Sequence, residues 1–150
     1  MGRLYGVGVI LLVMLGTVPA TLSGQVTGED EPPHAASPGF ELHQNYPNPF
    51  NPSTRIPFTL HPELFEADRP VLVSARIYNV LQQLVAIPTA LNHPEGNGVP
   101  VDNLEYTTPG QKEAYWDGLD QNGRPVASGI YYLQFIVNGE RAVRKMIVAK

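Results

Sequence analysis

Two alternating apolar runs meet at Asn138-Gly139 near the C-terminal end of the chain, and this arrangement constrains the fold more than any other feature. Ile130 to Val137 puts Tyr131, Leu133, Phe135 and Val137 on one face. Arg141 to Lys150 turns Met146 and Val148 inward and Lys145 outward. An alternation of period two is that of a half-buried strand, not of a helix. Asn-Gly suits a type I′ turn, in which both central residues need positive φ, so the two runs are predicted to form a hairpin.

The same grammar extends back to about residue 41. Arg55 to Leu60 alternates, with Ile56, Phe58 and Leu60 on one face, and Pro57 suggests an edge strand or a strand start. Val71 to Val80 sets Val71, Val73, Ala75 and Ile77 against Leu72, Ser74, Arg76 and Tyr78. Gln83 to Ile87 and Glu113 to Trp116 are shorter strand candidates, and Pro62 to Ala67 reads as a loop. The 15 prolines and 14 glycines punctuate the chain as turns rather than long helices. Six or seven short strands without a helical period predict an all-β antiparallel β-sandwich over residues 41–150. Residues 88–111, broken by Pro88, Pro94, Gly96, Gly98, Pro100, Pro109 and Gly110, read as a long surface excursion with a short strand near Leu104 to Tyr106.

The N-terminal end has a different character. Arg3 precedes an uncharged apolar run from Leu4 to Val18, and small residues follow from Pro19 to Gly24. The run is shorter than the roughly 20 residues of a spanning helix, so residues 1–24 read as a signal peptide cut after Ala20 or Ser23. Residues 25–40 are polar, small or Pro-rich and read as a flexible, disordered linker. These two segments leave no room for a second domain, so the β-domain is itself the product or the chain is part of a larger one.

The chemistry of the chain is sparse. With no cysteine there is no disulfide, zinc–thiolate site or thiol nucleophile. A net charge of −4 without a basic stripe argues against nucleic acid. His34, His43, His61 and His93 lack ligand spacing, and no nucleophile elbow, phosphate loop or zinc-protease motif occurs. Glu63, Glu66, Asp68, Glu95, Asp102 and Glu105 read as solvated charge. Asp117, Asp120 and Asn122 sit in a turn-like Trp116-Asp117-Gly118-Leu119-Asp120-Gln121-Asn122-Gly123 stretch that lacks the closing Glu of a calcium loop. The expectation is a monomeric, non-enzymatic module with no cofactor, metal or small-molecule substrate.

The most unusual stretch is Asn45-Tyr46-Pro47-Asn48-Pro49-Phe50-Asn51-Pro52-Ser53-Thr54. Its prolines forbid a helix or central strand and leave backbone groups that the Asn side chains can cap. It reads as a rigid entry loop, with Tyr46 and Phe50 tucked onto the edge of the sandwich, or as an exposed proline-rich recognition strip.

This strip, preceded by Leu42-His43-Gln44, resembles the opening of the type A C-terminal sorting domain of the type IX secretion system. That family is similar to the immunoglobulin-like domain of the flagellar hook-capping protein. The resemblance continues in Ile77-Tyr78-Asn79-Val80-Leu81, in Trp116-Asp117-Gly118, in Gly123 to Tyr132 with Gly129 and Tyr131, and in Arg144-Lys145-Met146, and covers roughly residues 41–150. It implies a seven-stranded immunoglobulin-like sandwich that serves as an address. Signal peptidase would act first, then outer-membrane secretion machinery, taking the product through the periplasm to the cell surface or medium. The recognised elements implied are the strip, Asn45, Tyr46, Pro47, Asn48, Pro49, Phe50, Asn51 and Pro52 onward, and the final strand with Arg144, Lys145, Met146 and Lys150. Trp116, Asp117, Gly118, Gly123, Gly129, Tyr131, Asn138 and Gly139 would be core and turn positions. The family usually has Gly soon after its Tyr-Asn pair, where this chain has Gln82-Gln83. The alternative function is a structural or adhesive immunoglobulin-like module of a cell-envelope or flagellar-cap assembly.

Overall fold

In the computed structural model, the structure describes residues 36–37 and 39–150. The signal-peptide expectation and most of the linker therefore lie outside the described residues. Among those residues no helix is long and apolar enough to cross a membrane.

The fold is all-β and antiparallel, with ten strands among the described residues in place of the expected seven or so. They are β1 (Ala36–Ser37), β2 (Phe40–Leu42), β3 (Thr54–Leu60), β4 (Val71–Tyr78), β5 (Leu84–Ala86), β6 (Thr89–Leu91), β7 (Leu104–Tyr106), β8 (Gly110–Trp116), β9 (Gly129–Val137) and β10 (Glu140–Val148). One sheet runs β1-β2-β3-β8-β6 and the other β10-β9-β4-β5, with β7 also on β4. The surplus is β1, β2 and β6, strands of two or three residues, too short for an alternating pattern to show in sequence.

The long strands follow their periodicity. Ile56, Phe58 and Leu60 of β3 are fully buried, as are Val71, Val73, Ala75 and Ile77 of β4. Tyr131, Leu133, Phe135 and Val137 of β9 point the same way, with Met146 and Val148 of β10 beside them. The two sheets meet through aromatic rings: Phe58 lies 4.7 Å from Phe135, and Phe40 lies 5.7 Å from Phe135. Each such side chain removed from water contributes about 1.5–3 kcal/mol. Asn138 and Gly139 take φ of 47° and 91°, and Val137 pairs with Glu140 across them, which gives the expected two-residue hairpin.

Four expectations need correction. First, the linker reading ran too far: β1 pairs with β2, and Phe40 is wholly buried. Second, Pro57 is not on an edge strand, because β3 pairs with β8 on one side and β2 on the other. Its carbonyl accepts from His43 N–H at 3.0 Å, just past the end of β2. An antiparallel residue directs its N–H and C=O to the same side, so the missing donor falls where the β2 ladder stops. Third, Pro62–Phe65 is a short 3-10 turn rather than a loop. Fourth, residues 88–111 are not a surface excursion. They supply β6, β7 and the first residues of β8, and they bury Ala90, Val101, Leu104 and Tyr106. Val101 also hands its carbonyl to Ala75 N–H at 2.8 Å, filling the gap on β4 between β5 and β7.

The turn after β4 is held by Asn79, whose Oδ1 accepts from Leu81 N–H and Gln83 N–H, both at 3.0 Å. Gln82 sits at φ 60°, so it takes the left-handed position itself.

Candidate functional site

The proline strip and the last strand are remote in sequence and adjacent in space. The strip first closes on itself. Tyr46 and Arg55 exchange two backbone hydrogen bonds of 2.9 Å. Asn45 is buried, and its Nδ2 donates to Thr54 Oγ1 at 3.0 Å and to the Pro47 carbonyl at 3.2 Å. Thr54 Oγ1 in turn donates to the same Pro47 carbonyl at 2.9 Å. Side chains thus replace the backbone partners that proline cannot supply. The peptide bonds before Pro47, Pro49 and Pro52 are all cis.

The strip then docks on the free side of β10. Phe50 N–H donates to the Ile147 carbonyl at 3.0 Å, and the Phe50 carbonyl accepts from Ala149 N–H at 3.0 Å. This makes a parallel bridge between Phe50 and Val148. Ile147 N–H donates to Asn48 Oδ1 at 2.9 Å, and Gln44 Nε2 donates to the Lys145 carbonyl at 3.3 Å. The outward backbone of the second half of β10 is therefore capped by the strip. Covering an edge this way removes a template for unwanted pairing.

Arg144 ties the same strand to β2. Its Nε and Nη2 both donate to the Leu42 carbonyl, at 3.1 and 3.0 Å. Met146 is core, while Lys145 and Lys150 are exposed, and Lys150 N–H donates to Ser128 Oγ at 3.1 Å. Pro47, Asn48, Pro49, Asn51 and Pro52 are exposed as well. Of the two aromatics expected to tuck inward, only Phe50 does, at 1% exposure. Tyr46 is 47% exposed, and its hydroxyl donates to Glu113 Oε1, while Glu113 Oε2 accepts from Arg55 Nη1 at 3.0 Å. That hydrogen bond to Glu113 raises the Tyr46 pKa.

Beneath the seam lies the Trp116 cluster. Trp116 stands 5.3 Å from Phe50 and 5.6 Å from Tyr131, edge to face in both cases. Its Nε1 donates to the Leu119 carbonyl at 2.9 Å, and Tyr131 Oη donates to the Ala127 carbonyl at 2.9 Å. Burial raises the Tyr131 pKa. Gly118 has φ 77°, and a Cβ there would run into the Pro52 carbonyl oxygen, so this glycine lets the strip approach the Trp116 turn. Asp117 Oδ1 accepts from Leu119 N–H at 2.9 Å. Asp120 Oδ1 accepts from Asn122 and Arg124 N–H at 2.8 and 3.0 Å, and these bonds, led by that from Arg124, hold its carboxyl below the usual value. Gly123 completes that turn at φ 73°, and Gly129 opens β9. The acids of this stretch thus serve as turn acceptors.

Sequence reasoning placed Gln44 and Thr54 in the strip's string but gave neither a hydrogen-bonding role, although a Thr closing an Asn-Pro run is a recognisable capping signal. It also missed His93, which is buried. Its Nε2 donates to the Glu105 carbonyl at 2.8 Å, its Nδ1 accepts from Glu95 N–H at 3.2 Å, and its ring stacks edge-on against Tyr106 at 4.8 Å. His34 lies outside the described residues. Among the described residues no three His, Asp or Glu side chains converge as a metal site. What the seam offers is recognition chemistry: exposed prolines, amides and lysines on a fixed backbone.

Compared with protein-family models, with curated proteins and with solved structures, the chain gives no match in any of the three.

Proposed function

We propose that the β-domain is an immunoglobulin-like sandwich acting as a non-catalytic sorting module for type IX export across the outer membrane. The resemblance in sequence motivates the reading. The observation that carries it is the seam, in which Phe50 and Asn48 of the strip hydrogen-bond to Ile147 and Ala149 at the other end of the chain. The two segments that the resemblance marks as recognised form one surface, with exposed Asn48, Pro49, Lys145 and Lys150 on it. A receptor reading both segments at once discriminates a folded module from an unfolded chain.

Deleting Arg144 to Lys150 is a poor test, because it also removes Met146 and Val148 from the core. The test is to fuse residues 31–150 behind a periplasmic reporter in a bacterium with type IX machinery and to measure reporter in the medium and on the surface. Export is expected for the wild-type fusion, with severe loss for a folded Lys145→Glu/Lys150→Glu/Asn48→Asp variant. Periplasmic retention of the wild-type fusion, or normal export of the variant, overturns the reading. A second reading, a structural module of an envelope assembly, is supported by Val80 and Leu81, which are 63% and 74% exposed at the β4–β5 turn. It requires concentration-dependent self-association, measured by sedimentation and abolished by Leu81→Asp.

A further inference from the structure

Two tyrosines line one groove on the outward face of the second sheet. Tyr78 of β4 and Tyr132 of β9 are direct partners across the ladder. Tyr132 is 39% exposed. With Asn79, Val80 and Gln82 of the β4–β5 turn, Gln134 of β9 and Val143 of β10, they line an open groove of about 610 Å³. That volume is in the range of small-ligand sites.

The chemistry of the lining is selective. None of its residues is charged. Its polar groups are phenol hydroxyls and carboxamides, which both donate and accept. Tyr78 Oη donates to Gln134 Oε1 at 3.4 Å, which leaves the Gln134 amide nitrogen free to donate. The Tyr132 hydroxyl and the Gln82 amide have no protein partner among the described residues. Of the nearby cations, Arg76 is held by Asp102 at 2.7 Å, and Lys145 opposite Tyr132 on β10 is exposed. The backbone of β4 and β9 is consumed by ladder hydrogen bonds, so the floor of the groove offers an extended peptide no strand edge to pair with.

We infer that this groove binds a neutral saccharide. A sugar ring has an apolar C–H face that stacks on a tyrosine ring and equatorial hydroxyls that both donate and accept. The paired tyrosines supply the platform, and Gln82, Gln134 and the Tyr132 hydroxyl supply the amide and hydroxyl partners around it. Because the groove is open, it takes internal units of a chain as well as a terminal one.

The test is titration calorimetry of the protein with cellohexaose, xylohexaose, mannohexaose and maltohexaose, with affinity electrophoresis through gels holding the corresponding soluble polymers. Saturable binding of at least one neutral glycan is expected, weakened roughly tenfold or more by Tyr132→Ala and less by Tyr132→Phe, which keeps the stacking ring and loses only the hydroxyl. Binding in the gels without binding of the hexaoses identifies the polymer as the ligand, and binding of both identifies any chain of that sugar. Gln134→Leu keeps the volume of a half-buried position and serves as the second variant where Tyr132→Ala lowers the melting temperature markedly. No saturable binding to any of these glycans, or binding by folded Tyr132→Ala and Gln134→Leu equal to that of the wild type, overturns the inference.

Discussion

Asn48 and Ile147 are 99 positions apart in the chain and share a 2.9 Å hydrogen bond, from the Ile147 N–H to the Asn48 side-chain oxygen. With the two Phe50 backbone bonds beside it, this contact turns an exposed strand edge into a closed seam. Replacing Asn48 by Ala is expected to lower stability by about 1 kcal/mol and to speed exchange of the Ile147 amide about fivefold. Phe50→Ala also empties a core position against Trp116 and is expected to lose about 3–5 kcal/mol. Denaturant titration and amide exchange check both. An unchanged Ile147 amide in Asn48→Ala would show that the cap is not formed in solution.

Tyr106 gives a prediction of opposite sign. Its ring packs edge-on to Phe58 at 5.7 Å, and its buried hydroxyl has no hydrogen-bond partner. Removing an unpaired buried hydroxyl relieves its desolvation, so Tyr106→Phe is expected to raise stability by about 1 kcal/mol at neutral pH. A destabilised variant counts against the unpaired hydroxyl.

The same residue sets an alkaline limit. Burial pushes the Tyr106 pKa from 10.0 up to about 12. Below the unfolded value both states keep the proton and nothing is lost. Between pH 10 and about 12 the unfolded chain ionises first, so stability falls as pH rises, by on the order of 2–3 kcal/mol. Melting curves across this window should show the loss in wild type and a shallower one in Tyr106→Phe.

Two glycines with nearly equal φ should respond differently to alanine. Gly118 (φ 77°) faces the Pro52 carbonyl, whereas Gly123 (φ 73°) faces open space. Gly123→Ala is expected to cost about 1 kcal/mol from backbone strain, and Gly118→Ala about 2–4 kcal/mol from strain plus displacement of the strip. Equal losses by thermal melting would show that the strip yields freely.

Arg144 tests whether the last strand is tied to β2 by geometry or by charge. Two guanidinium nitrogens share the Leu42 carbonyl. Lysine keeps the charge and loses the fork, so Arg144→Lys is expected to lose about 1–2 kcal/mol, close to the loss in Arg144→Met. Full stability in Arg144→Lys would assign the tie to charge alone.

The alternating residues of β3, β4, β9 and β10 announced their own inward faces, because a period of two is a local property and burial follows it. The Asn138-Gly139 turn was legible for the same reason: its φ requirement belongs to two neighbouring residues. The turn role of Asp117 and Asp120 could also be read, since their acceptors serve N–H groups two to four residues on. The short strands β5 and β7 were read in place, whereas β1, β2 and β6 were missed because two or three residues carry too little pattern and their pairing depends on distant strands such as β3 and β8. Pro57 misled because a local rule about missing donors cannot see where a neighbouring ladder ends.

The sequence by itself determined an antiparallel β protein, the inward faces of its long strands, its closing hairpin and the oddity of the Asn-Pro strip. Only the tertiary structure decided that Phe50 is core while Tyr46 is not, that Gly118 exists to admit Pro52, that Tyr106 is left unpaired, and that Tyr78 and Tyr132 share a groove. Each of these depends on contacts between segments far apart in the chain. Such contacts form only when both sheets have closed, and no window of neighbouring residues contains them.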